Sequence, residues 1–184
     1  IFIFVSILWW GSFLSLGVWD YRDALAYSAN GISIARTGEK FVQPVQWDDF
    51  SSGEYTFGKI KGYANDFYSV ILAGIYKITG NARVWYGSLL SYFFFVFGSF
   101  FLWKLFQRFL SFWPALLCLT LSLTHYLMLQ TMIRPLTDPL FWGLSMFLMW
   151  FISKWPRKVC WIGFIVGCIT LIRFQAVFYF PLLL

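Results

Sequence analysis

Charge is the scarce commodity in this sequence. Only 12% of its 184 residues are charged, about half the share in an ordinary soluble domain. Acids are scarcer still, 8 against 14 bases, and there is a single histidine. Three cysteines, Cys118, Cys160 and Cys168, fall inside apolar runs, so they imply neither a disulfide framework nor a metal site. No Gly-rich phosphate loop, internal repeat, low-complexity tract or N-x-Ser/Thr site is present, and no ligand spacing demands a metal ion. What fills the chain instead is apolar: 60% hydrophobic and 24% aromatic, with 23 Phe, 11 Trp and 10 Tyr. A disordered chain would be poor in aromatics. A soluble globule of this length could not bury so much apolar surface. An integral membrane protein is the class that remains.

The uncharged runs are long enough to support that class. Residues 1–19 carry no charge and, as a helix, would extend about 28 Å. Further spans are expected at 84–103, 109–133, 136–153 and 159–184. The third holds only His125, which reads as a buried histidine bonded to a neighbouring helix rather than as a ligand. The last contains Arg173; it is one long helix with an intramembrane arginine, or the end of one helix and the start of another. Backbone polar groups in lipid must be satisfied internally, which leaves helices or closed barrels. Barrel strands alternate in polarity, and these runs do not. The expected fold is therefore all-α, a polytopic transmembrane helical bundle. The chain begins and ends inside apolar runs and reads as a piece of a longer polypeptide.

Orientation follows from the short loops. Lys104 and Arg108 lie in one; Lys154, Arg157 and Lys158 lie in another; neither contains an acid. Both are expected on the cytoplasmic side. Residues 20–83 and the turn near Arg134 then face the other side. That 64-residue outer loop is neutral, with seven acids and seven bases. Two amphipathic helices are expected in it. One covers about 23–37 and is stopped by Gly38; the other covers about 66–79 and is stopped by Gly80-Asn81. The second is too short to span and should lie in the membrane interface.

This order of features resembles the N-terminal half of the GT-C glycosyltransferases, which include the protein O-mannosyltransferases and the aminoarabinose transferases of lipid A. The family often shows Asp-Glu-Ala-x-Tyr leading into a helix that ends Thr-Gly. Here Asp23-Ala24-Leu25-Ala26-Tyr27 leads to Thr37-Gly38. The family's Thr/Ser-Glu-Pro-Leu at the start of a later span is similar to Thr137-Asp138-Pro139-Leu140. Its Leu-Thr-Arg-Pro stretch resembles Leu171-Ile172-Arg173-Phe174, without the proline. Its His-Pro-Pro-Leu-Tyr is replaced by Ala64-Asn65-Asp66-Phe67-Tyr68, so the His and both prolines are absent.

The resemblance implies transfer of a sugar from a polyprenyl-phosphate carrier to a glycan, lipid or protein acceptor on the non-cytoplasmic face of a plasma or inner membrane. Partners would be membrane lipid and those substrates, with no nucleic acid. An inverting transfer needs a carboxylate to take the acceptor proton and cations to stabilise the leaving phosphate. Asp23 closely follows the first span and begins a helix, and is the expected base. Asp20, three residues earlier, is the second candidate. As an alternative, Asp23 is also a good helix N-cap. Asp66, at the head of the second loop helix, is either a cap or a substrate-binding acid. Arg134 and Asp138, four residues apart, form a local ion pair, or Arg134 faces the phosphate and Asp138 orients it or a metal. Arg173 is costly in an apolar run and is expected to bind phosphate; the plainer reading is snorkelling to headgroups. Tyr27 is a candidate sugar-contacting aromatic. A divalent metal stays open as a cofactor. A transporter or flippase of a lipid-linked substrate is the competing reading, and a non-catalytic membrane subunit the third.

Overall fold

The computed structural model describes residues 22–38, 66–83, 85–125, 131–132, 134–173 and 176. The expected first span, 1–19, lies outside the described residues, as does most of the loop between the two amphipathic segments. Among the described residues there are six α-helices and no strand. They are α1 (Arg22–Thr37), α2 (Asp66–Thr79), α3 (Trp85–Phe109), α4 (Phe112–Leu123), α5 (Thr137–Lys154) and α6 (Val159–Ile172).

The two loop helices stop where glycine permits it. Gly38 and Gly80 have φ of 75° and 68°, a left-handed conformation that costs other L-residues energy and commonly closes a helix. The two helices pack against each other in parallel. Ser69 Oγ donates to the Tyr27 carbonyl at 3.3 Å. One turn further along, Gly31 lies against Leu72. α2 buries Tyr68, Ser69, Leu72, Ala73 and Tyr76 along one face. Its other face still shows Phe67, Val70 and Ile78.

α3 and α5 make the most extensive helix pairing, and they run parallel. A Cβ on Gly143 would lie 2.5 Å from the Phe94 carbonyl oxygen, and one on Gly98 would lie 2.8 Å from the Gly143 Cα. The backbones cross at a pair of glycines because nothing larger fits there. The aromatics flanking this seam interleave: Phe95 stacks on Trp142 at 5.6 Å, and Phe101 meets Phe147 edge-on at 4.8 Å. At the far end the Arg108 guanidinium donates to the Ser153 carbonyl. α4 folds back on α3 through Leu119 and Leu123, and α6 packs on α5 through Ile162, Val166 and Ile169 against Leu148.

Lys104 and Arg108, expected in a loop, lie in the last turns of α3, which runs on to Phe109. Two further segments depart from expectation. The run 109–133 is not a single helix: α4 ends at Leu123, with Thr124 as its C-cap. Three hydroxyls crowd this end. Thr120, Ser122 and Thr124 each donate to a carbonyl of their own helix, those of Leu116, Cys118 and Leu121. Such back-bonding competes with the backbone ladder and favours a bend or an end. His125 is consequently not a buried mid-span residue; it is exposed just beyond the cap. The second departure is in the last run, where α6 stops at Ile172 and Arg173 is its extended C-cap, with φ −145° and ψ 126°. The arginine therefore closes a helix and does not sit within one.

Candidate functional site

Arg173 and Asp138 come together. Arg173 Nη2 lies 2.8 Å from Asp138 Oδ1, and Arg173 Nε donates to Thr137 Oγ1 at 3.2 Å. α5 and α6 are successive helices joined by a short turn, so the start of one lies beside the end of the other. Asp138 occupies the first turn of α5 and Arg173 caps α6. A carboxylate at a helix N-terminus and a cation at a C-terminus are each favoured by the local dipole. Pro139 costs α5 nothing in its first turn, where no intrahelical N–H donor is needed. Both charged side chains are about one-third exposed, 31% for Arg173 and 38% for Asp138. The pair can therefore meet a ligand from outside.

The expected local pairing of Arg134 with Asp138 across one helical turn does not form in that geometry. Residues 134–136 are not helical, and α5 begins only at Thr137. The carboxylate is instead taken by an arginine 35 positions later in the chain. Arg134 is half-buried on the bend that leads into α5, four residues from Asp138.

A buried hydrogen-bond network fastens the loop helices to this corner. Tyr68 Oη lies 3.2 Å from the Gly87 carbonyl, to which it donates, and 3.3 Å from Ser91 Oγ. Ser91 Oγ in turn meets both the carbonyl and the N–H of Leu136 at 3.4 Å. Leu136 immediately precedes Thr137 and Asp138. Burial pushes the Tyr68 phenol well above its ordinary range, a shift that the Ser91 hydrogen bond only partly opposes. It stays protonated and acts as a hydrogen-bond donor. Tyr27 meets the Tyr68 ring edge-on at 5.3 Å. Beneath them Ile32, Leu72, Tyr76, Leu140 and Ile172 form one apolar cluster, which joins α1, α2, α5 and α6.

The remaining candidates are acids on α1, on α2 and before them. Asp23 is the second residue of α1 and Asp66 the first of α2; their side chains lie outside the described residues, and Asp20 lies outside them altogether. The parallel register that sets Tyr27 beside Ser69 brings Asp23 level with the head of α2 when extended by one turn. Asp23 and Asp66 thus share one end of the α1–α2 pair, the end from which Tyr68 reaches Ser91 and Leu136. Among the described residues no group of three or more His, Cys, Asp or Glu side chains could hold a metal ion.

Sequence reasoning singled out Arg173, Asp138, Arg134 and Tyr27. It missed the part played by Ser91 and Tyr68, which look like ordinary interior residues until their long-range partners are known. Comparison with known proteins adds nothing to this geometry: no protein-family model, no curated protein and no solved structure matches the chain.

Proposed function

We propose that this chain is an integral membrane glycosyltransferase that moves a sugar from a polyprenyl-phosphate donor to an acceptor on the non-cytoplasmic side. The observation that carries the reading is Arg173, held by Asp138 and Thr137 at one end of an apolar bundle. The opposite end holds Arg108, Lys154 and Lys158 with no acid beside them in sequence. Bases of that kind mark a cytoplasmic face, and Arg173 then lies toward the other one. The membrane reading draws further support from α3, which is 25 residues long and apolar enough to cross a bilayer. It also draws on outward-facing Phe109, Trp113, Leu121 and Phe164, all more than half exposed.

In this scheme the acceptor hydroxyl oxygen attacks the anomeric carbon. The bond from that carbon to the phosphate oxygen breaks, and its electron pair leaves with the polyprenyl phosphate. The acceptor proton passes to the Asp23 carboxylate, with Asp20 as the second candidate for that role. Arg173, assisted by Arg134, offsets the charge on the leaving phosphate. Asp138 orients Arg173 before the donor arrives. Asp66 and Tyr27 contribute to binding the acceptor and the sugar.

The ends of α4 and α6 within apolar runs lend one specific support to a transporter or flippase, since transporters use broken helices. Bond cleavage separates the two. The intact protein in membranes, given a defined polyprenyl-phosphate sugar, should release polyprenyl phosphate and glycosylate an acceptor. Arg173→Ala should slow this about 100-fold, as expected for loss of one charge-stabilising group. Movement of the intact donor across the bilayer without cleavage would favour the alternative.

A further inference from the structure

We infer that the basic end of the bundle carries a binding site for an anionic phospholipid, in a groove between α5 and α6. The inference rests on the membrane reading above but not on the sugar-transfer chemistry. The groove has a volume of about 510 Å³ and is lined by Phe147, Phe151, Trp155, Lys158, Trp161 and Phe164. Its walls are aromatic along their length, and a lysine stands at one end. Trp161 and Phe164 are more than half exposed, so the groove opens sideways from the bundle. Lys154, Arg157 and Lys158 lie within five consecutive residues at its mouth. From residue 67 to residue 184 the only acid is Asp138, which sits at the opposite end of α5 paired to Arg173. No carboxylate from this stretch therefore neutralises the mouth.

The neighbouring bases are held in position. Arg108 is bonded to the Ser153 carbonyl, and the Lys154 ammonium lies over Trp150 and Trp155, at 5.2 Å and 4.6 Å from the ring centroids. These contacts fix the base of the turn and leave Lys158 on the groove wall and Arg157 on the exposed turn beside it. An apolar trench ending in cations that no carboxylate among the described residues compensates, with tryptophans at headgroup level, is complementary to one acyl chain and the phosphate of an anionic lipid. A zwitterionic lipid would fill the trench without satisfying the charge, and a free phosphate would satisfy the charge without filling the trench.

The test uses the full chain in detergent micelles doped with phosphatidylglycerol or phosphatidylcholine carrying brominated acyl chains. Quenching of Trp161 is read as the difference between wild type and Trp161→Phe. Phosphatidylglycerol should quench at concentrations several-fold lower than phosphatidylcholine, and glycerol phosphate should not compete. Lys158→Gln should weaken the effect about 5-fold and Arg157→Gln with Lys158→Gln about 25-fold, the worth of one and two surface charges. Lys104→Gln, a base at the same end but outside the groove, should change little. Equal quenching by both lipids, or as large a loss with Lys104→Gln as with Lys158→Gln, overturns the proposal. So does the absence of quenching, which is also the outcome if another part of the chain covers the groove. Quenching is read without turnover, so lipid binding in a protein that transfers no sugar would fault the enzyme reading alone.

Discussion

At the scale of single residues, the Arg173–Asp138 pair and the Tyr68 network call for different tests. A part-exposed ion pair contributes only about 0.2–1 kcal/mol to stability. Asp138→Asn should therefore unfold in detergent within about 1 kcal/mol of wild type. If the pair serves the donor phosphate, the same change should raise the donor KM several-fold, a result that a purely structural pair would not give. Tyr68 is buried and bonded to Gly87 and Ser91, so Tyr68→Phe should cost about 1–2 kcal/mol. Burial also raises its phenol above the usual value near 10. The folded state then resists ionisation. Its contribution is intact below about pH 10 and is lost progressively as the pH rises past the unfolded phenol's value. Thermal unfolding between pH 9 and pH 11.5 should show a steeper alkaline loss for wild type than for Tyr68→Phe.

At the scale of elements, the parts written locally were the ones legible in the sequence. Gly38 and Gly80 end α1 and α2 because a left-handed residue is a local requirement. The long uncharged run starting near residue 84 becomes α3 because it holds no proline and its apolar residues continue without a break. The run 109–133 misled because hydrophobicity cannot register three hydroxyls folding back on their own helix. The one-turn pairing of Arg134 with Asp138 failed because a spacing of four implies a helical turn only where the backbone is helical. The Arg173–Asp138 contact depends on the antiparallel packing of α5 and α6, which no short-range pattern encodes. The α3–α5 seam is likewise tertiary, and it gives a sharp prediction. Gly143→Leu would drive a side chain into the Phe94 backbone, where even a Cβ lies 2.5 Å from the carbonyl oxygen. It should destabilise the bundle by more than the 1–3 kcal/mol typical of overpacking. Gly163→Leu on α6, whose Cβ would meet nothing within 4 Å, should be tolerated. Thermal unfolding of the two variants in one detergent makes the comparison.

At the scale of the whole molecule, the charge of +6 divides along the bundle axis. Because α3 and α5 run parallel and Arg108 reaches Ser153, the two basic segments, at the end of α3 and around the α5–α6 turn, share one end. Arg134, Asp138 and Arg173 share the other. Under the proposed topology Cys160, exposed at the basic end, should react with a membrane-impermeant maleimide in inverted vesicles and not in right-side-out ones. A chain carrying Cys118→Ser and Cys168→Ser makes that reading unambiguous. Labelling in right-side-out vesicles alone would reverse the orientation and put Arg173 on the cytoplasmic side. The sugar-transfer chemistry defines the proposed protein. Its most direct measurement is sugar transfer from polyprenyl-phosphate donors by the intact protein in membranes, with Asp23→Asn and Asp20→Asn beside wild type. The proposed reaction requires transfer by wild type and a fall of about 10²–10⁴-fold in Asp23→Asn, the contribution of a general base, with donor binding retained. No transfer from any such donor, or full transfer by both variants, would contradict it.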